Sequence, residues 1–384
     1  MFPLKTLFPL SDNHSNLLYQ RILDILNAAK IGVSRTVNTT QVVSYWLIGR
    51  EIVEQEQQGQ QRAEYGENLL KDLSRRLTKD VGKGFSYANL KLIRQFYFAY
   101  PQLLGEQDKG YAVSSLSDAP LDLAKTLQPN PNWQPGQLHP NLSWTHYRRL
   151  MRVDNLDARA FYEIEALQNN WSARELERQI SSLLFERLAK STDKAGLIQL
   201  ATEGQMIQTP SDIFKDPVVI EFLGLPESPR LVESDLETAL ISNLQTFLLE
   251  LGKGFAFVSR QERISLDGDH FYIDLVFYHT ILKCYILIDL KVGKLNHGDL
   301  GQLQLYVNYY DLERCAPDDN PTLGLILCSD KNDAVVKYTL GPNQQSKIFA
   351  SRYQLHLPTE AELQAELHRE MAQLQDRRPP DSEV

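Results

Sequence analysis

Residues 284–292 read Cys-Tyr-Ile-Leu-Ile-Asp-Leu-Lys-Val, an apolar run broken only by Asp289 and Lys291. Side chains alternate faces along a strand, so Asp289 and Lys291 share one face. The run before it, 271–278, reads Phe-Tyr-Ile-Asp-Leu-Val-Phe-Tyr and carries one carboxylate, Asp274. A hairpin turn centred between Ile281 and Leu282 sets Asp274 directly opposite Asp289, with Cβ atoms about 4.5–5.5 Å apart. Like charges facing each other across a ladder are destabilising, and a divalent cation is the simplest neutraliser. Mg²⁺ takes one or two carboxylates and keeps several waters. Mg²⁺ or Mn²⁺ held by two aspartates beside a lysine suits phosphodiester hydrolysis: the cation polarises a phosphoryl oxygen and helps generate hydroxide. The ammonium stabilises the pentavalent charge or orients the attacking water. The competing reading is a buried Asp–Lys ion pair that only completes the fold.

These residues need strands and helices to hold them. Helical spacing of apolar residues predicts a helix over 232–251, with Leu236, Leu240, Leu244, Phe247 and Leu251 on one face. Strands follow at 255–266, 270–279 and 283–292, then a helix at 299–312, an apolar strand at 322–328 and a last strand near 347–351. Upstream the chain reads as helical, over 15–29, 38–58, 66–78 and 87–100. Ser86 is the N-cap of the last of these, after the turn Gly82–Gly84. Prolines interrupt 102–141, read as a long, poorly ordered surface loop. Helical signals resume at Ser143, and Ser172 with Glu175 forms a capping box for a helix to about Lys190. The fold class is therefore multidomain, α followed by α/β. A helical domain at 1–200 precedes an αβββαβ domain with a mixed sheet at 201–358, and an amphipathic helix (359–375) and disordered tail end the chain at 384.

Length and composition agree with this division. At 384 residues with 42% hydrophobic and 23% charged, the chain has material for two or three soluble domains. No apolar run reaches membrane-spanning length and the N-terminus does not read as a signal peptide, so a cytoplasmic location is expected. Cys284, Cys315 and Cys328 match no zinc module and read as buried free thiols. The net charge of −9 argues against blanket attraction to nucleic acid but not against a local basic face.

The helix, the strand meander bearing Asp274 and Asp289-x-Lys291, the next helix and the further strand resemble the PD-(D/E)XK nuclease core. More closely, FLLELGKGFAFVSRQ (247–261), FYIDLVFYH (271–279), CYILIDLK (284–291) and LGLILCSD (323–330) resemble the nucleases of the YhcG-like family. YGENLLKDLSRRL (65–77), GFSYANLKLIRQFY (84–97), LSWTHYRRLM (142–151) and WSARELERQI (171–180) resemble that family's helical N-terminal domain. The resemblance implies a restriction-endonuclease-like core, with Asp274 and Asp289 as metal ligands and Lys291 as catalytic lysine. It implies Glu237 as the acidic residue of the first core helix, with Glu233 one turn earlier as its rival. Gln302 matches the glutamine often found on the helix after the motif strand, where a surface amide is the plain alternative. Ile273 stands where the motif's name has proline, and this removes no ligand. The setting implied is prokaryotic genome defence or DNA processing.

Cations cluster in the helical domain. Arg75, Arg76, Lys83, Lys91 and Arg94 lie around the turn at Gly82–Gly84, and Arg148 and Arg149 sit with His146, Tyr147 and Arg152. Two helices about such a turn suit a helix-turn-helix-like reader whose second helix enters the major groove. A solvated packing face is the competing reading. DNA is the expected partner; a homodimer through the tail helix and a protein partner through the helical domain are further expectations. His270, His279 and His297 flank the core as ordinary surface or edge histidines. The alternative function is a non-catalytic nucleic-acid-binding or regulatory protein that works through its helical domain.

Overall fold

The helical periodicity of the first third becomes α1 (Asp12–Ile31), α2 (Val37–Gln58), α3 (Ala63–Asp80) and α4 (Tyr87–Ala99). A computed structural model describes residues 12–31, 37–58, 63–103, 132–189, 194–226, 231–341 and 344–359. Most of the proline-rich segment and all but the first residue of the expected tail helix lie outside these. The chain divides into two units, Met1–Glu177 and Arg178–Val384.

In the N-terminal unit the apolar stripes of α2 and α4 face each other, burying Val42, Trp46, Ile52, Leu90, Ile93 and Phe96. Gly49 permits the close crossing, because a Cβ there would stand 2.4 Å from the Ile93 carbonyl oxygen. Ser86 caps α4 as its type predicts, accepting from the Asn89 N–H at 3.3 Å. The helices α5 (Trp144–Leu150) and α6 (Leu156–Gln168) follow. Phe96 packs its ring on Trp144 and Tyr147, with centroids 5.2 and 5.1 Å apart, a spacing favourable for aromatic pairs. The capping box is present, with Ser172 N–H donating to Glu175 at 2.6 Å and Glu175 N–H to Ser172 at 3.3 Å. The helix it opens is shorter than its apolar pattern suggests. It breaks into α7 (Ala173–Ser181) and α8 (Leu184–Ala189), with Leu183 at φ +53°. The break turns the Ser182 carbonyl and hydroxyl toward Arg187, a buried guanidinium that needs those acceptors, at 2.9 and 3.1 Å.

The C-terminal unit begins within α7 and includes α8; α9 (Lys194–Glu203) then leads to β1 (Val218–Val219), α10 (Glu233–Ser242) and α11 (Leu244–Leu251). The single helix expected at 232–251 is thus interrupted. Asn243 leaves helical geometry and its side-chain amide donates to the Ala239 carbonyl at 3.0 Å, a local bond that competes with the helix ladder. The meander β2 (Phe255–Leu266), β3 (Asp269–His279) and β4 (Cys284–Lys294) follows, then α12 (His297–Glu313), β5 (Leu323–Asp330), α13 (Asp333–Thr339) and β6 (Ile348–Gln354). The sheet order is β1-β6-β5-β4-β3-β2, antiparallel within the meander and parallel from β4 to β1. The fold is a helical region followed by a mixed six-stranded α/β core, as expected.

Two apolar layers sandwich this sheet. Leu236, Leu240, Phe247 and Leu251 of α10 and α11 meet Leu275, Phe277, Ile286, Ile288 and Leu290. On the other side Leu300, Leu303, Tyr306, Val307 and Tyr310 of α12 meet Ile273, Val276, Leu287 and Ile326. Ile273 and Leu275 therefore face opposite layers, so the two-residue alternation of β3 breaks at Asp274.

Two buried-thiol expectations hold, since Cys284 and Cys328 are buried, but Cys315 is only partly so. His279 is a correction: it is buried, not at an edge, because it bonds the Lys253 carbonyl at 2.9 Å and accepts from the Leu282 N–H at 3.1 Å. His146 and Tyr147 are also buried and leave the expected basic cluster. His146 is held between Ser143 and the Trp171 carbonyl at 2.7 and 2.9 Å.

Candidate active site

The β3–β4 ladder runs from His279↔Cys284 to Leu275↔Ile288, which centres the hairpin between Ile281 and Leu282 as the spacing predicts. Continued by one step, this register sets Asp274 against Asp289. The backbone pairing stops just short of them, and the Leu290 N–H that it leaves free donates to Asp274 Oδ2 at 2.8 Å. The charged pair thus marks the point where β3 and β4 part.

Asp289 is buried, with a side chain only 2% exposed. Its Oδ2 lies 3.1 Å from Lys291 Nζ, yet among the described residues it accepts no hydrogen bond of acceptable geometry. Burial pushes the Asp289 carboxyl up to about 7; Lys291 opposes the rise, and the charges of Asp274 and Glu233 add to it. Burial alone lowers the Lys291 ammonium, but Asp289 and Glu233 outweigh it and hold the group above its ordinary value.

Helix α10 brings both candidate glutamates to the sheet. Glu233 Oε2 stands 3.9 Å from Lys291 Nζ, and Glu233 Oε1 accepts from the Val292 N–H at 3.3 Å. Glu237, one turn on, accepts from the Gln261 amide at 2.7 Å, and the same amide donates to Asp274 Oδ1 at 3.0 Å. The two glutamates therefore sit apart, Glu233 with Lys291 and Glu237 with Asp274. Gln302 donates to the Tyr306 hydroxyl, which in turn donates to the Tyr272 carbonyl at 3.1 Å. Burial raises the Tyr306 phenol, Gln302 opposes, and the charges of Asp289 and Asp274 add to the rise, which puts this pair within electrostatic reach of the aspartates.

Gln261 is the neighbour that pattern reading missed. It sits in Ser-Arg-Gln-Glu-Arg, a polar stretch where an amide draws no notice. The available signal was positional: Arg260↔Leu275 and Glu262↔Ile273 bracket it opposite Asp274.

Among the described residues no group of three or more His, Cys, Asp or Glu is arranged to hold a metal ion. Mg²⁺ needs no such cage, since one or two carboxylates and water satisfy it. The buried Oδ2 of Asp289, which among the described residues meets only the Lys291 ammonium and accepts no well-formed hydrogen bond, fits that requirement, because such an atom is left incompletely satisfied by the protein.

The basic residues of the N-terminal unit are more engaged than their exposure suggests. Arg75 pairs with Asp72 at 2.6 Å, Arg94 with Glu56 at 2.9 Å and Arg149 with Glu177 at 2.7 Å. Arg76 lies 3.8 Å from the Tyr19 ring centroid and 3.7 Å from Asp72. Lys91 stands 4.7 Å from the Tyr87 ring centroid, while Lys83 and Arg148 form no ion pair among the described residues.

Residues 211–368 match the family model of the YhcG PDDEXK nuclease domain, and residues 21–187 match the DUF1016 N-terminal domain. The Escherichia coli (strain K12) protein named "Putative nuclease YhcG" is 38% identical over 368 residues, covering 94% of this chain and 95% of that protein. Among solved structures, a repair endonuclease from Pyrococcus abyssi aligns at 15% identity and TM-score 0.25, over 35% of this chain and 50% of that one. An EndoMS–dsDNA complex aligns at 13% identity and TM-score 0.25, over 35% of this chain and 51% of that one. The chain thus spans about half the length of those two structures, and a likeness at such scores has no bearing on function. No helix among the described residues is long and apolar enough to cross a membrane. With its C-terminal unit matched by the nuclease model, its helical unit by the N-terminal one and nearly its whole length by one relative, the chain belongs to the YhcG family of PDDEXK nuclease-domain proteins.

Proposed function

We propose that the C-terminal unit hydrolyses phosphodiester bonds of nucleic acid, DNA foremost, with a divalent cation held by Asp274 and Asp289. The observation that carries this reading is the buried Asp289 carboxylate one register step from Asp274, whose Oδ2 has the Lys291 ammonium at 3.1 Å but accepts no well-formed hydrogen bond among the described residues. A carboxylate kept only to complete the fold is normally hydrogen-bonded. Mg²⁺ or Mn²⁺ at this place supplies polarisation of a phosphoryl oxygen and a lowered pKa for water.

The chain's own groups do the rest. Lys291, kept protonated beside Asp289, stabilises the negative charge that builds on the phosphoryl oxygens and orients the attacking water. Glu237 is the helix carboxylate directed to the site, because it shares Gln261 with Asp274. Glu233 instead steadies Lys291 and the end of β4. Gln302 sets the Tyr306 hydroxyl beside the site. Water attacks directly, without a covalent enzyme intermediate.

The helical unit is proposed to bring the nucleic acid through Lys83, Lys91 and Arg148, with Arg75, Arg76, Arg94 and Arg149 exchanging carboxylate partners for phosphates. Cutting both strands of a duplex needs two sites, and a homodimer supplies them; sedimentation velocity with and without DNA reads this directly. The metal centre itself is tested by thermal shift. Mn²⁺ raises the melting temperature of wild type and leaves Asp274→Ala unmoved; a wild type that Mn²⁺ does not stabilise leaves the Asp–Lys set as a structural ion pair.

A further inference from the structure

Gln261 lies in one row with the two aspartates across three neighbouring strands. The pairs Arg260↔Leu275 and Glu262↔Ile273 bracket it opposite Asp274, and the β3–β4 pairing, continued one step past Leu275↔Ile288, reaches Asp289. Its backbone has φ +48°, the left-handed region that a non-glycine residue adopts only at an energetic cost. That conformation, in the middle of a strand on the sheet edge, lets one amide reach two carboxylates on different elements: Glu237 of α10 at 2.7 Å and Asp274 of β3 at 3.0 Å. Both acceptors are carboxylate oxygens, so the network itself fixes the nitrogen as the bridging atom. Gln261 is exposed, so the bridge is not there to satisfy a buried amide.

We infer that Gln261 is a positioning residue for the metal site, tying the Asp274 carboxylate to Glu237 of the neighbouring helix and so fixing its orientation toward the cation. This rests on the reading of the site as a metal centre. Two carboxylates on separate elements repel and swing apart unless a donor lies between them. The amide supplies that donor without adding charge, and yields readily because water can replace it. Groups that orient metal ligands in this way are worth about 10–100-fold in metal affinity.

The test uses variants that relieve the backbone rather than strain it. Asn and Gly both tolerate positive φ, so Gln261→Asn and Gln261→Gly are expected to fold, while one is too short for the bridge and the other lacks it. Mn²⁺ binding to the full chain is read from the loss of the free-ion signal in electron paramagnetic resonance. The inference expects both variants to melt at or above the wild-type temperature without metal and to bind Mn²⁺ about 10–100-fold more weakly. Folded variants that bind Mn²⁺ as wild type does overturn the inference alone. A wild type that binds no Mn²⁺ overturns the reading of the site, and the inference with it.

Discussion

Asp289 embodies a conflict between folding and chemistry. Among the described residues its buried Oδ2 meets only the Lys291 ammonium, at 3.1 Å, and burial pushes its carboxyl up to about 7, so holding the charge there costs the folded protein stability. Asp289→Asn is therefore expected to raise metal-free stability at pH 8, by about 1–3 kcal/mol, and to abolish the stabilisation by Mn²⁺; thermal melts with and without the ion check both. The opposite pattern, a less stable variant that still responds to Mn²⁺, contradicts the assignment. Glu163 shows the same physics away from the site. It bonds Tyr100 and the Gly136 N–H at 2.8 and 2.7 Å, and burial nevertheless pushes its carboxyl up to about 7. Because the folded value exceeds the unfolded one, the native state holds a proton that the unfolded chain releases between about pH 4.5 and 7. Stability of the N-terminal unit should then fall as pH rises through that window, by roughly 3 kcal/mol in all. Glu163→Gln should flatten the profile in urea melts at stepped pH. At this scale the aspartates and Lys291 were legible because charge inside an apolar strand is anomalous. Gln261 was not, because its role depends on a backbone angle and a cross-strand neighbour that no local pattern reports.

Helices and strands differ in how plainly their limits could be read. The meander was legible almost to the residue, since β2 spans Phe255–Leu266 as expected and the hairpin register follows from symmetric spacing about the turn. The helix breaks at Leu183 and Asn243 were hidden, because an unbroken apolar stripe runs through both. A buried arginine's need for acceptors and an asparagine's local bond decided them. Strand β1 is two residues long and helix α13 seven, too short for periodicity to emerge. Where two elements meet closely the structure makes a sharp claim. Gly49→Ala forces a Cβ onto the Ile93 carbonyl oxygen, a backbone atom that cannot step aside. Overpacking of this kind is expected to lower the stability of the N-terminal unit by about 1–3 kcal/mol. Circular-dichroism melts check it, and an unchanged transition means that α2 and α4 do not cross at Gly49.

Across the whole molecule, a net charge of −9 and arginines already paired with carboxylates leave few unpaired cations among the described residues for the proposed contact with nucleic acid. If Lys83, Lys91 and Arg148 supply the standing phosphate contacts, log affinity should fall with log salt at a slope of about −3, reduced by about 1 in Lys91→Ala. Fluorescence anisotropy over a salt series reads the slope, and a wild-type slope that Lys91→Ala leaves unchanged removes this residue from the contact set. The most direct test of the central claim is cleavage. Supercoiled plasmid, linear duplex, single strand, branched DNA and RNA are each incubated with wild type in Mg²⁺ or Mn²⁺, in EDTA, and with Lys291→Ala. The expected result is cutting of a DNA substrate that needs the ion and falls at least about 100-fold with Lys291→Ala, the scale for losing one charge-stabilising donor. Cutting that persists in EDTA, or that Lys291→Ala leaves intact, would contradict the account.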